Sequence, residues 1–208
     1  MERMTVNEYL QVLSSKSPVP GGGGTSALGG AMGMALGSMV GNLTTGKKKY
    51  AAYETDIRRL IGEAEKLHEQ LVHLMNEDAA VFQPVSDAYR LPKETEEQLA
   101  YREQVLETTL KGACLVPIEV IRKSLEGLDV LEELLVKGSV LAVSDVGVGA
   151  AFLRTAINGA VLNVYINTRM MKNRELASEL NRETKELQEQ GIVRADRLYQ
   201  QVLEKLEN

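Results

Sequence analysis

Apolar residues along the chain recur at helical rather than strand spacing. Thr5 and Glu8 form a Thr-x-x-Glu capping box ahead of a short amphipathic run, which predicts a helix over about residues 6–14, stopped by Pro18 and Pro20. Residues 21–24 are all glycine and read as a loop. A helix is then predicted over about residues 25–45, closed by Gly46 and the basic run at 47–49. A long helix follows over about residues 50–89, with Pro84 bending its last turns. Its seam is Ile57, Leu60, Ala64, Leu67, Leu71, Leu74, Asp78, Val81 and Val85, with alternating steps of three and four, so that eight of nine positions are apolar.

Thr95 and Gln98 make a second capping box, opening a helix that continues past a kink at Pro117 towards Gly138. Ser144 and Asp145 read as the cap of the next helix, which carries only Asp145 and Arg154 as charges as far as Thr168 and is therefore expected to be buried on most sides. One face of it is small and polar: Gly149, Ala156, Gly159, Asn163 and Asn167. The remainder, residues 170–208, is highly charged and reads as two amphipathic helices divided at Gly191, forming a solvated outer layer. Alternating strand patterns, repeats and interdomain linkers are absent. The expectation is an all-α fold, an up-and-down helical bundle with long, partly kinked helices in one domain spanning 1–208.

Composition narrows the function. The chain has 208 residues, 44% hydrophobic and 4% aromatic, with no Trp, which suits helices better than sandwiches. A net charge of −5 argues against a nucleic-acid binder. The single cysteine, Cys114, allows no internal disulfide and no cysteine-based zinc site, and two histidines, His68 and His73, do not make a metal cluster. Both histidines miss the seam and read as surface residues, while Cys114 reads as a small core residue. No metal and no cofactor are expected. The N-terminus carries Glu2, Arg3 and Glu8 and lacks the apolar stretch of a signal peptide. Residues 17–46 are free of charge over 30 positions, but proline, glycine, serine and threonine interrupt them, so a membrane span is not the reading. A cytoplasmic, soluble protein is expected.

Asp78 is the sharpest chemical clue. A carboxylate on an apolar seam loses hydration, which raises its pKa and suits general acid–base work. The alternative is a structural pairing with a cation or a helix cap, or an outlet to solvent. The glycine run leading into a helix offers backbone N–H groups to an anion, or is simply a close-packed turn, and it lacks the Gly-Lys-Ser/Thr of a phosphate loop. Gly29, Gly33, Gly37 and Gly41 recur every four residues, at a cost of about 1 kcal/mol each relative to Ala. Close approach of another helix, or of a flat ligand, must offset that. Asp145 reads as an N-cap, and Asn163 and Asn167 either bridge helices or hold the edge of a ligand.

Taken in order, several runs resemble the cyclodeaminase module of the formiminotransferase-cyclodeaminase family. They are Ser17-Pro-Val-Pro-Gly-Gly-Gly-Gly-Thr-Ser-Ala-Leu28, Asn42-Leu-Thr-Thr-Gly-Lys-Lys-Lys-Tyr50, Glu77-Asp-Ala-Ala-Val-Phe82, Leu91-Pro-Lys93, Ser144-Asp-Val-Gly-Val-Gly-Ala150 and Asn163-Val-Tyr-Ile-Asn167. The resemblance implies an all-helical, homodimeric folate enzyme of one-carbon metabolism and histidine catabolism. Its implied activity is that of an ammonia-lyase, converting 5-formiminotetrahydrofolate to 5,10-methenyltetrahydrofolate. A related branch hydrolyses the methenyl compound instead, and a folate-binding bundle without turnover is the remaining rival. It implies Asp78 as the catalytic proton shuttle. Gly21, Gly22, Gly23, Asn42, Asp145, Asn163 and Asn167 would bind the pterin, and Lys47 and Lys48 would draw the glutamate or polyglutamate tail. A separate formiminotransferase is an implied partner, since the transferase module has no counterpart here. The glycine run has four members where the family has three followed by Ser, which leaves Thr25 and Ser26 as candidates for that position.

Overall fold

Helix formation follows the apolar spacing closely. In the computed structural model, which describes residues 1 and 4–207, the chain forms α1 (Val6–Leu13), α2 (Gly22–Asn42), α3 (Glu54–Arg90), α4 (Glu96–Lys137), α5 (Val143–Met170) and α6 (Arg174–Glu207). Short 3₁₀ turns occupy Lys48–Tyr53 and Val140–Ala142, and no strand occurs among the described residues. Both expected capping boxes are present: Thr5 and Thr95 accept from the N–H of Glu8 and Gln98, whose side chains bond back to the cap backbone.

The four helices α2 to α5 alternate in direction and pack in a ring, each against the next and α5 against α2, while α6 lies along α5 and touches α4. The α3 seam drives this arrangement. Ile57, Leu60, Ala64, Leu67, Leu71 and Leu74 are buried in one core with Met34, Leu128, Leu131, Leu153 and Ile157. A smaller core of Val85, Leu110, Cys114, Ile118, Val164 and Leu180 lies where α3 ends and α4 begins. There burial pushes the Cys114 thiol up to about 12, which leaves it inert at neutral pH. His68 and His73 are exposed on α3, as expected. The segment Val140–Met170 is long and apolar enough to cross a bilayer by length and composition, and α5 within it packs against α2, α4 and α6.

The glycine stripe on α2 serves helix packing. A Cβ on Gly33 would lie 3.0 Å from the Gly149 carbonyl oxygen, and one on Gly149 would lie 3.2 Å from the Gly33 carbonyl oxygen. The two backbones therefore touch directly. Gly37 meets Leu131 and Gly41 meets Ile61, whereas a Cβ on Gly29 would find nothing nearer than 4.0 Å. Opposite signs are expected. Gly29→Ala should gain up to about 1 kcal/mol from helix propensity. Gly33→Ala should lose more than that gain, since overpacking against backbone costs roughly 1–3 kcal/mol. Thermal melting of both variants checks this, at about 2–4 °C per kcal/mol for a chain of this size.

The structure corrects several boundaries. The helix expected from Thr25 starts at Gly22, so most of the glycine run is its first turn rather than a loop. A tertiary cap, described below, outweighs the poor helix propensity of glycine. Asp145 is not an N-cap: Ala142 holds that position after the 3₁₀ turn, and Asp145 falls in the first turn of α5. There its charge faces the positive end of the helix. The C-terminal region is one helix instead of two. Gly191 does not break it, because its missing side chain admits Ile157 and Leu125; a Cβ would sit 2.6 Å from Ile157 Cδ1. Pro84 and Pro117 lie inside α3 and α4, which run on through both. The buried residues that follow, Val85 and Ala88 in α3 and Ile118, Val120 and Ile121 in α4, hold those turns in place.

Candidate active site

Because α2 and α3 run in opposite directions, the N-terminus of α2 meets the late turns of α3. Gly21, the N-cap, has no side chain with which to satisfy the first N–H groups. Asp78 of α3 does so instead: the Gly24 N–H donates to Asp78 Oδ2 at 2.8 Å. The other carboxylate oxygen, Oδ1, has no partner among the described residues, and no cation pairs with Asp78. Burial raises the Asp78 pKa above the ordinary aspartate value of 3.8, and the Gly24 hydrogen bond opposes but does not cancel this. The helix-cap alternative considered for Asp78 is therefore realised by one oxygen, while the other stays available.

The residues around it are arranged for that purpose. A Cβ on Gly23 would fall 2.1 Å from Asp78 Oδ1, so only glycine leaves room for the carboxylate. The first turn of α2 is pinned by Thr25 and Ser26, whose hydroxyls donate to the carbonyls of Gly21 and Gly22 at 2.7 Å. Tyr9, the buried residue of α1, places its hydroxyl 3.2 Å from Thr25 Oγ1.

Asp78 opens onto a cleft of about 340 Å³, within the rough range of 300–1,000 Å³ typical of small-molecule sites. Gly21, Gly22 and Gly23 form one rim, Asn163 and Asn167 of α5 face them, and Val81, Phe82, Val85, Tyr89, Leu110, Ala113, Ile166 and Met170 supply an apolar wall. Asn163 Nδ2 donates to the Gly159 carbonyl at 2.8 Å, and Asn167 Nδ2 donates to Ala113 of α4 at 3.2 Å and to Asn163 at 2.9 Å. Asn167 thus uses both of its amide hydrogens on backbone and can still offer only its oxygen, an acceptor, whereas Asn163 keeps one N–H donor as well as its oxygen. Asn167 does bridge α4 and α5, as one of its two readings held.

Four expected site residues stand elsewhere. Asn42, Lys47 and Lys48 are exposed at the opposite end of α2, about 30 Å away along a 21-residue helix. The turn beyond α2 is fixed by Glu54, which accepts from Thr45 Oγ1 and Gly46 N. Asp145 lies at that same far end, in the first turn of α5. Within one chain none of the four reaches the cleft, whose lining contains no Lys, Arg or His. Conversely, the sequence reading assigned no role to Phe82, Tyr89, Ile166 or Met170. The signal was available: Phe82 lies one helical turn after Asp78, and Ile166 and Met170 lie one turn after positions beside Asn163 and Asn167.

A helical bundle that presents one half-buried carboxylate to a cleft otherwise lined by uncharged and apolar side chains offers a candidate acid–base site. The comparisons name the group. The chain belongs to the formiminotransferase-cyclodeaminase family, whose model matches residues 5–186. It is 37% identical over 202 residues to a methenyltetrahydrofolate cyclohydrolase of Methylorubrum extorquens, covering 97% of each chain. It is 32% identical over 188 residues to the formimidoyltransferase-cyclodeaminase of Rattus norvegicus, covering 87% of this chain and 35% of that larger protein. The crystal structure of a formiminotetrahydrofolate cyclodeaminase from Thermotoga maritima superposes with a TM-score of 0.82 at 29% identity, covering 99% of this chain and 97% of that one.

Proposed function

We propose that this chain acts on the one-carbon unit bridging N5 and N10 of tetrahydrofolate, hydrolysing 5,10-methenyltetrahydrofolate to 10-formyltetrahydrofolate. The observation that carries the reading is Asp78 Oδ1, unpaired, half-buried and open to the cleft. The methenyl ring is cationic, so a carboxylate without a competing cation favours its binding. Water adds to the bridging carbon as Asp78 accepts a proton from it, and the same group returns a proton to N5 as the carbon–N5 bond opens. One water is consumed and one net proton is released. The amide oxygens of Asn163 and Asn167 suit the N–H groups on a pterin edge, and the glycine rim lets the ring approach backbone. The Methylorubrum relative, matched along its whole length, supports hydrolysis.

The second reading is the cyclodeaminase, supported by the superposition on the Thermotoga protein. There N10 attacks the formimino carbon, Asp78 passes the N10 proton to the departing nitrogen, and ammonia leaves. A formimino group would then come from a separate transferase. Both reactions exchange water or an amine at one carbon without electron transfer. The test is ultraviolet absorbance of the methenyl compound. Accelerated loss of added methenyltetrahydrofolate is expected. Appearance of that compound with ammonia from 5-formiminotetrahydrofolate, and no hydrolysis, would select the second reading instead. Inertness towards both would overturn the assignment.

A further inference from the structure

Of the side chains of α1, one is buried. Val6 and Leu10 are exposed, whereas Tyr9 is 6% exposed and packs into the main core. A phenylalanine would fill that space equally well, and burying a phenol is costly unless its hydroxyl is bonded. Here it is bonded, 3.2 Å from Thr25 Oγ1 and 16 positions away along the chain. The direction of the bond is fixed. Thr25 has one hydroxyl hydrogen and gives it to the Gly21 carbonyl at 2.7 Å, so Tyr9 donates and Thr25 accepts.

That chain of two bonds ends on the turn that caps onto Asp78. Gly21 is the N-cap of α2 and has no side chain to fix the turn. Its carbonyl accepts from both the N–H and the hydroxyl of Thr25, and the preceding residue, Gly24, donates its N–H to Asp78 Oδ2 at 2.8 Å. The Tyr9 bond also closes the loop from α1 into α2, whose Pro18, Val19 and Gly21 form part of the cleft rim. Tyr9 does not line the cleft, so it acts on the site only through these neighbours.

Resting on the folate reading above, we propose that Tyr9 is a positioning residue of the reaction: through Thr25 it holds the glycine turn so that the Gly24 N–H stays on Asp78 Oδ2 and Oδ1 stays turned to the cleft. Loosening that turn weakens the bond that lowers the Asp78 pKa and leaves the raising effect of burial less opposed. Little else governs this proton. α2 carries no titratable side chain, and α5 presents the neutral Asn163 and Asn167. α4 presents Leu110 and Ala113, with the Cys114 thiol protonated beside them in the smaller core. On α3 itself Tyr89 lies about three turns further along the cleft wall, and Glu77 pairs with His73.

Tyr9→Phe keeps the ring and removes only the hydroxyl. With methenyltetrahydrofolate as substrate, the acid limb of its pH–rate profile is expected to move to higher pH by up to about one pH unit, the weight of one such hydrogen bond. Thr25→Val breaks both bonds and should move the limb at least as far, whereas Thr25→Ser keeps the hydroxyl and should bring it back. The double variant Tyr9→Phe/Thr25→Val should move it no further than Thr25→Val alone, since both act through one chain of bonds. A role confined to stapling α1 would lower the melting temperature of Tyr9→Phe and leave the limb in place, and that result overturns the inference. Asp78 also has a readout that needs no turnover. In protein carrying isotope-labelled aspartate, the NMR signal of its carboxyl is assigned by its loss in Asp78→Asn. That signal should titrate at higher pH in Tyr9→Phe than in the wild type; equal midpoints overturn the link. A displaced midpoint in a chain inert to folates would instead sink the proposed reaction and leave the link from Tyr9 to Asp78 standing.

Discussion

Asp78→Asn is expected to lower turnover by at least about 10²-fold, the usual weight of a positioned acid–base group, with the fold preserved. An asparagine oxygen can still accept the Gly24 N–H bond that caps α2, so the variant removes the proton-accepting group without removing the cap. Stability carries a second, opposite expectation. The folded state holds the Asp78 carboxyl at a raised pKa, so between the unfolded and folded values it binds more protons than the unfolded chain. The contribution of this group is therefore favourable at acid pH and is lost as pH rises through the folded value. At neutral pH the buried charge works against folding. Asp78→Asn should then melt at the same or a higher temperature than the wild type at pH 7, and its relative advantage should vanish in acid. Turnover of the wild type should in turn fall as acid protonates Asp78, with the limb displaced above the ordinary aspartate value. Melting curves and pH–rate profiles of the two proteins check both signs. Full turnover by Asp78→Asn would remove this residue from the reaction.

Gly23→Ala is the second large effect expected. The new methyl group would start 2.1 Å from Asp78 Oδ1 and 2.8 Å from Oδ2, so the carboxylate must swing away or the first turn of α2 must open. Either movement takes Asp78 out of register with the cleft. A loss of turnover approaching that of Asp78→Asn is expected, on the order of 10²-fold, together with a lower melting temperature from the broken cap. Gly22→Ala is the comparison. Its methyl group would meet only the Asn163 amide, at 3.5 Å, and the fold should accept it. Equal stability of Gly22→Ala and Gly23→Ala, measured by thermal melting, would show that Asp78 and the glycine turn are not locked together.

The two variants mark where sequence reasoning reached and where it stopped. The seam of α3 was legible because three-and-four spacing places its residues on one side whatever surrounds the helix. Asp78 stood out on that seam for the same reason. The two capping boxes were legible because each closes on itself within four residues. The start of α2 was not legible: its cap comes from a residue 54 positions away, and local propensity favours a loop at four glycines. Gly191 failed likewise, because the reason it does not end α6 is the approach of Ile157 and Leu125 from other helices.

The periodicity of the chain determined that it would be helical, which faces would be buried, and that one acidic side chain would sit among apolar ones. Those properties depend on neighbours one turn apart. Only the tertiary structure decided which distant elements meet. It sent the α2 amide groups to Asp78 and gathered the glycine rim with Asn163 and Asn167. It also left Lys47, Lys48, Asn42 and Asp145 at the other end of the bundle. Helix direction and length settle that separation, and neither the identity of a residue nor its local spacing carries information about which end of a rigid rod another helix will bring to it.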